Sequence, residues 1–134
     1  MLKYNIAVGC EMPKKIMIVD DDPDILVTLR MFFEGNDFEV LAVDSGKDCI
    51  HELEQGFKGI VLLDITMPFM DGWTTLREII KRGLNKQVMI SIITANACMK
   101  HEQGTNLTAY VNEVIAKPFN LDRLMTYVNE EKNT

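Results

Sequence analysis

The sequence predicts an α/β fold built on a single doubly wound, five-stranded parallel sheet with helices on both faces. Apolar runs alternate five times with segments of helical periodicity, which is the pattern of successive β-α units joined by right-handed crossovers. The strand segments also read as nearly continuous apolar runs, which is typical of strands buried on both faces. A chain of 134 residues has room for one such domain with a real core.

The first half of the chain contains two predicted strands and two predicted helices, at residues 15–19, 23–34, 38–43 and 47–55. Asp22 and Pro23 mark the start of the first helix, because aspartate is a favoured N-cap and proline is favoured in the first helical turn. Gly35-Asn36 marks the end of this helix. Ser45-Gly46 separates the second strand from the second helix.

The second half contains three predicted strands and three predicted helices, at residues 59–63, 73–81, 88–93, 97–109, 114–116 and from 121 onward. Leu76, Ile79 and Ile80 have the spacing of a core-facing stripe on the third of the five helices. The segment 104–106 (Gly-Thr-Asn) interrupts the pattern of the fourth helix. Asn120 is predicted to be the N-cap of the last helix.

Composition and charge exclude several classes of protein. A net charge of −6 argues against binding of nucleic acid by the domain's own surface. No apolar run is long enough to span a membrane, and residues 1–13 lack the pattern of a secretory signal, so we expect a cytoplasmic protein. Residues 1–13 also lack periodicity and are predicted to form an arm before a domain at 14–134. Cys10, Cys49 and Cys98 are scattered without CxxC spacing and are expected to be reduced thiols.

Polar residues follow four of the predicted strands. Asp20 and Asp21 come after the first strand, Asp64 after the third, Thr94 after the fourth and Lys117 after the fifth. The carboxyl ends of parallel strands meet at one edge of the sheet, which is where ligands bind in such folds. A strand-end aspartate can attack a phosphoryl group, and Mg²⁺ prefers carboxylates, water and phosphate oxygens as ligands. The pattern therefore predicts a phosphate-accepting pocket that holds magnesium.

Each of these residues also has an ordinary structural explanation when it is taken singly. Asp22 is a helix cap, and Asp20-Asp21 could form a solvated acidic turn. Aspartate commonly ends a strand in a turn, so Asp64 alone would indicate little. The functional interpretation depends on all of the residues occurring together, in this order, at the ends of the strands.

The same residues resemble the signature of the receiver domain of two-component response regulators. Five segments match that family, with matching spacing: Val19-Asp20-Asp21-Asp22-Pro23, Leu63-Asp64-Ile65-Thr66-Met67-Pro68, Asp71-Gly72, Thr94-Ala95 and Lys117-Pro118-Phe119. The resemblance extends over residues 15 to about 128. It implies the flavodoxin-like (βα)5 receiver fold of the chemotaxis-regulator type.

The resemblance also implies the chemistry of the site. Asp64 is implied to be the phosphoacceptor, which takes a phosphoryl group from a phosphohistidine on a sensor histidine kinase or a histidine phosphotransfer protein. Asp20 and Asp21 are implied to bind Mg²⁺ together with Asp64 and the backbone carbonyl of Thr66. The resemblance implies that the domain is a phosphorylated switch and not an enzyme, and that it acts on a downstream protein. Whether a homodimer forms on phosphorylation stays open.

Thr94 and Lys117 are implied to contact the phosphoryl oxygens. Two positions depart from the family pattern, because Val114 stands where the family usually carries an aromatic residue and Tyr110 stands where it often carries glycine. Both lie on the face that the family uses to pass on its signal.

Three other functions fit these residues less well. A phosphatase of the haloacid-dehalogenase type needs its nucleophile after the first strand and a second acid two residues later, whereas Asp64 follows the third strand and Thr66 holds that second position. A flavodoxin-like cofactor binder needs a phosphate loop after the first strand, where the three acids at 20–22 would repel phosphate. A receiver that is never phosphorylated usually lacks an acid or the lysine, and neither is missing here. Whether the chain is a stand-alone regulator, a phosphorelay intermediate or part of a longer protein stays open.

Overall fold

The computed structural model describes residues 14–67, 70–94, 107–117 and 120–133. Five strands and four α-helices alternate along this part of the chain: β1 Lys14–Val19, α1 Pro23–Glu34, β2 Phe38–Val43, α2 Gly46–Glu54, β3 Gly59–Asp64, α3 Gly72–Lys81, β4 Val88–Thr94, β5 Glu113–Ala116 and α4 Leu121–Asn133. The strands form one parallel sheet in the order β2-β1-β3-β4-β5. The predicted α/β class and five-stranded parallel sheet are confirmed.

The register of the sheet brings the carboxyl ends of its central strands to one edge. Val19 pairs with Leu63, Asp64 pairs with Ile93, and Thr94 is the last residue of β4. Residues that directly follow β1, β3, β4 and β5 are therefore neighbours in space although they are far apart in the sequence. This is the edge where the sequence analysis placed its polar residues.

Alternating residues of the strands supply two separate halves of the core. Phe33 of α1 and Leu124 of α4 pack on one face of the sheet, and Leu53 of α2 and Leu76 of α3 pack on the other. Within β1, Ile16 and Ile18 belong to the first half of the core, whereas Met17 and Val19 belong to the second. Because successive strand residues point to opposite faces, a continuous apolar run is what such a strand requires.

The N-caps of the four helices are side-chain oxygens that accept a backbone N–H at 2.8–3.1 Å. These caps are Asp22, Ser45, Asp71 and Asn120. The predicted roles of Asp22 and Asn120 are confirmed, since a short oxygen-bearing side chain satisfies an N–H that has no partner in the first turn.

The end of α1 differs in detail from the prediction. The helix ends at Glu34, but Gly35 keeps a right-handed conformation with φ −66° and the chain reverses at Asp37, with φ 70°. Asn36 holds the last turn, because its side-chain N–H donates to the carbonyl of Phe32 at 2.8 Å. Aspartate tolerates the left-handed region better than most residues, so glycine is not required there.

The fourth predicted helix falls mostly outside the described residues, as do the arm, Cys10, Cys98, Ala95 and Pro118-Phe119. At the described end of that predicted helix, Leu107–Tyr110 is a single 3₁₀ turn rather than α-helix. Cys49 is a free, buried thiol, as expected, and burial raises its pKa to about 12. None of the described helices is long and apolar enough to cross a membrane.

Candidate functional site

Three aspartates form a cluster at the carboxyl edge of the sheet. Asp20, Asp21 and Asp64 each offer a carboxylate oxygen, and these oxygens all lie within 4.8 Å of one another. Asp20 and Asp64 are only 2% exposed, whereas Asp21 is exposed. The sheet fixes the cluster, because Asp64 is the last residue of β3 and the N–H of Asp20 donates to the carbonyl of Val43 at 3.2 Å.

The two carboxylate oxygens of Asp64 have different surroundings. Oδ1 accepts hydrogen bonds from the N–H of Thr66 at 3.1 Å and from its hydroxyl at 3.3 Å. Oδ2 lies 3.8 Å from Nζ of Lys117. The loop after β3 therefore orients the carboxylate, and a cation faces its second oxygen.

Lys117 bridges the two buried carboxylates. Its Nζ lies 3.1 Å from Oδ2 of Asp20 and 3.8 Å from Oδ2 of Asp64, and 22% of its side chain is exposed. Its backbone N–H donates to the carbonyl of Thr94 at 2.8 Å, which continues the pairing of β5 with β4. The position of the lysine is thus set by the sheet. Thr94 itself is 1% exposed and ends the strand that lies between β3 and β5.

Burial raises the pKa of Asp20 above its ordinary value of 3.8. The negative charge of Asp64 acts in the same direction. Two contacts oppose this shift: the N–H of Asp22, which donates to Oδ1 of Asp20 at 2.9 Å, and Lys117. One ammonium group therefore does not fully offset the cost of ionising this buried acid next to a second carboxylate.

The cluster fits a magnesium ion by its donor set. Carboxylate oxygens are the ligands that Mg²⁺ takes from proteins, with water and phosphate oxygens completing its shell. A divalent cation would also relieve the repulsion between neighbouring buried carboxylates. The described contacts of Thr66 involve its N–H and its hydroxyl, so its backbone carbonyl as a ligand stays a prediction.

Gly72 is a positioning residue whose contacts cannot be inferred from a periodic pattern in the sequence. It is the first residue of α3, and its N–H donates to the carbonyl of Ile65 at 2.7 Å. A Cβ at this position would lie 2.5 Å from the backbone oxygen of Asp64 and 2.5 Å from Cα of Ile65. The start of α3 thus rests directly on the backbone that carries Asp64, and the matched Asp71-Gly72 pair was the only sequence signal for it.

Replacing Asp20 with asparagine is expected to stabilise the metal-free protein at neutral pH. The folded pKa of Asp20 lies above its unfolded value, so the wild-type protein loses stability as the pH rises through that folded pKa, and the loss persists at pH 7. Asparagine removes this loss, and we expect a gain in the free energy of unfolding of about 1 kcal/mol at pH 7. Urea unfolding at pH 5 and pH 7 in the presence of EDTA measures it.

Magnesium is expected to make the wild type more stable than Asp20→Asn, which reverses their order of stability. Mg²⁺ should raise the stability of the wild type by binding only the folded state, and should raise that of Asp20→Asn much less. Asp48→Asn, at an exposed position in the first turn of α2, serves as the matched control. A variant that is less stable than the wild type at pH 7 in EDTA would contradict the account of the acid cluster.

The family and the relatives that this chain resembles agree with a phosphate-accepting acid cluster. A family model described as the response regulator receiver domain matches residues 16–129. Chemotaxis protein CheY of Bacillus subtilis is 28% identical over 91% of this chain and 100% of its own length. The chain spans only 43% to 48% of the length of other curated regulators that it matches, GtcR of Aneurinibacillus migulanus and PrrA of Mycobacterium bovis among them.

Solved structures show the same architecture. A CheY-like receiver domain protein from Methanospirillum hungatei superimposes with a TM-score of 0.81 at 34% identity, over 90% of this chain and 98% of that one. The response regulator TrrA of Thermotoga maritima, solved in complex with Mg²⁺ and BeF, gives a TM-score of 0.73 at 27% identity, over 87% of this chain and 97% of that one.

Proposed function

Because the chain belongs to the response regulator receiver domain family, we propose that Asp64 accepts a phosphoryl group in a magnesium-dependent reaction. The observation that carries the proposal is the buried carboxylate of Asp64, which shares a cluster with Asp20 and Asp21 and faces Lys117. We propose a phosphohistidine of a sensor histidine kinase or of a histidine phosphotransfer protein as the donor.

In the proposed reaction an oxygen of Asp64 attacks phosphorus, and the bond from phosphorus to the imidazole nitrogen of the donor breaks with its electron pair left on that nitrogen. The product on this chain is an acyl phosphate. Mg²⁺, when it is bound by Asp20, Asp21 and Asp64, supplies positive charge against the phosphoryl oxygens. Lys117 adds a second positive charge, and we propose that the hydroxyl of Thr94, which can donate a hydrogen bond, contacts a third oxygen.

The proposed role is that of a phosphorylated switch rather than an enzyme. TrrA, which this chain resembles at 27% identity, was solved with Mg²⁺ and BeF, and the latter mimics a phosphoryl group. The acid cluster of this chain offers carboxylate oxygens, which Mg²⁺ takes as ligands. Action on a downstream protein and the cytoplasmic location stay predictions of the sequence, and a homodimer formed on phosphorylation stays open.

The route by which phosphorylation reaches a target is expected to differ from the family pattern. Tyr110 and Val114 are 47% and 41% exposed, and they stand at the two positions that depart from that pattern. Valine is stiff at χ1 and too small to fill the space that an aromatic ring would fill on turning inward. We therefore expect the signal to depend on Thr94 and on a shift of the segment 96–109, which lies mostly outside the described residues.

Labelling with a small phosphodonor tests the proposed reaction. Radiolabelled acetyl phosphate is expected to label the protein in Mg²⁺ and not in EDTA, and hydroxylamine is expected to remove the label because acyl phosphates are cleaved by it. A label that forms equally well in EDTA, or that resists hydroxylamine, would contradict a magnesium-dependent acyl phosphate.

Lys117→Met is expected to slow this labelling without unfolding the protein. The substitution removes the cation 3.1 Å from Asp20 and 3.8 Å from Asp64, so the phosphoryl oxygens lose a charge-assisted contact. Such a contact is worth about 1.5–3 kcal/mol, and we expect the initial rate to fall roughly tenfold to a hundredfold. Initial labelling rates at saturating Mg²⁺ measure the reaction, and urea unfolding separately measures the stability of the fold.

Lys47→Met is the matched control for this prediction, because Lys47 is an exposed lysine in the first turn of α2. It is expected to label at the wild-type rate. If Lys117→Met unfolds the domain but its folded fraction labels normally, the lysine is a structural residue and the assigned role is wrong.

A further inference from the structure

A cavity opens at the edge of the sheet opposite the acid cluster. Its volume is about 630 Å³, within the range of small-molecule sites in proteins. Four lysines lie around it: Lys14 and Lys15 at the start of β1, Lys58 before β3 and Lys86 before β4. The described residues that line it include no acid, although the chain as a whole carries a net charge of −6.

The positive charge of this cavity is only partly offset. Lys15 faces Glu39 at 3.8 Å, and both of these side chains are exposed. Lys14 donates to the side chain of Asn129 at 3.4 Å, which carries no charge. Lys58 and Lys86 are exposed and form no ion pair with a described residue. Ammonium groups gathered around a concave surface raise the local concentration of anions.

The loops beside the cavity are held in place. The side-chain N–H groups of Gln87 donate to the carbonyls of Leu53 at 3.0 Å and Phe57 at 2.7 Å. These two bonds tie the loop that carries Lys58 to the turn that carries Lys86. Two of the lysines therefore extend from a backbone that is already ordered, which lowers the entropy cost of binding a ligand.

The floor of the cavity is apolar. Ile60 is buried, and Val88 and Met89 are half-buried beside it. Gly56, which also lines the cavity, has φ +104°, and a Cβ there would meet no atom of the described residues within 4 Å. A ligand with charged groups at the rim and a planar or apolar body on the floor would match both surfaces.

This cavity is separate from the phosphoacceptor site. Lys15 lies near the start of β1 and Asp20 directly follows that strand, so five residues of extended chain, roughly 17 Å, separate them. An anion bound among the lysines cannot contact the acid cluster. The inference is accordingly independent of the proposed phosphorylation.

We propose that the cavity binds a small molecule that carries a chain of phosphate groups. Lysine is a compact point charge that suits phosphate oxygens, and several lysines at a rim can contact several phosphates at once. The phosphate chain could belong to a nucleoside triphosphate, whose base would lie on the apolar floor, or to inorganic tripolyphosphate. The lysines are the shared recognition element for both sources.

Titration of the full chain with ATP and, separately, with tripolyphosphate tests the proposal. The titrations are done in EDTA at low salt, because bound Mg²⁺ could otherwise bring phosphates to the acid cluster. Two-dimensional amide NMR spectra are expected to show saturable shifts at residues 56–60 and 86–89 and none at 20–22 or 64–66. If ATP binds more tightly than tripolyphosphate, the ligand is a nucleoside triphosphate. If the two bind with equal affinity, the cavity recognises the phosphate chain alone.

Removing the charges of selected lysines distinguishes binding at this cavity from general electrostatic attraction of anions to the protein. Lys58→Gln combined with Lys86→Gln is expected to weaken binding by about tenfold or more. The matched control is Lys47→Gln combined with Lys81→Gln, which removes the same charge from exposed lysines outside the lining, and it is expected to change the affinity less than twofold. Equal weakening by both pairs, shifts centred on the acid cluster, or no saturable binding would overturn the proposal.

Discussion

Asp64→Asn is expected to abolish phosphoryl transfer to the domain while leaving it folded. The amide nitrogen is not a nucleophile toward phosphorus, and the neutral amide oxygen is a poor one, so labelling should fall to background. The fold should survive because the asparagine oxygen can still accept from the N–H and hydroxyl of Thr66, as Oδ1 of Asp64 does. Acetyl phosphate labelling with mass spectrometry of the intact protein measures the loss.

The stability of the same variant gives an independent check. Burial chiefly raises the pKa of Asp20, and the charge of Asp64 adds to this shift. Asp64→Asn removes that second contribution, so the variant should unfold at the same urea concentration as the wild type or a higher one. Asp44→Asn is the matched control, since Asp44 directly follows strand β2 and is exposed. Undiminished labelling of Asp64→Asn would place the acceptor elsewhere.

The sequence was sufficient to predict that Asp20, Asp64 and Lys117 lie close together. Apolar runs ended at Asp20, Asp64, Thr94 and Lys117, and a parallel sheet must bring the carboxyl ends of adjacent strands to one edge. The only further requirement was that β1, β3, β4 and β5 be neighbours, which the observed order of the sheet satisfies. The site was thus predictable because its residues are tied to strand ends and do not depend on loop conformation.

Features that depend on the exact backbone path were not predictable. Nothing in the sequence distinguishes the two oxygens of Asp64, because their roles follow from a loop that turns Thr66 toward one of them. The reversal at Asp37 rather than Gly35 depends on the side-chain bond of Asn36 to Phe32. Such details follow from a small energy difference between competing turns, and no periodic pattern records them.

The lysine cavity was not predictable from the sequence, for a related reason. Lys14-Lys15, Lys58 and Lys86 lie in three separate segments before three different strands. None of these segments contains a recognisable motif, and single lysines near the carboxyl ends of helices are common because they complement the helix dipole. Only the sheet order shows that the amino ends of β1, β3 and β4 are adjacent, which brings the charges together.

Gly72→Ala is expected to destabilise the domain by about 3 kcal/mol, at the upper end of the usual cost of overpacking. The backbone of Gly72 is helical and would suit alanine, so the obstacle is space alone. The atoms that the new Cβ would meet at 2.5 Å belong to the backbone of Asp64 and Ile65, which cannot rotate away as a side chain could. Either α3 or the phosphoacceptor loop must therefore move.

Because this backbone must move, folded Gly72→Ala protein is also expected to be phosphorylated more slowly. Displacing the backbone of Asp64 shifts its carboxylate relative to Asp20 and Lys117, so labelling of the folded fraction should slow, whereas a purely global effect would leave its rate unchanged. Gly35→Ala is the control, because Gly35 has φ −66° and lies at the far end of α1. Urea unfolding and labelling rates at a temperature where both variants are folded measure the two effects. A Gly72→Ala variant within about 0.5 kcal/mol of the wild type would show that α3 can shift at little cost, and the close packing of its first residue on Asp64 would then not be what positions the acceptor.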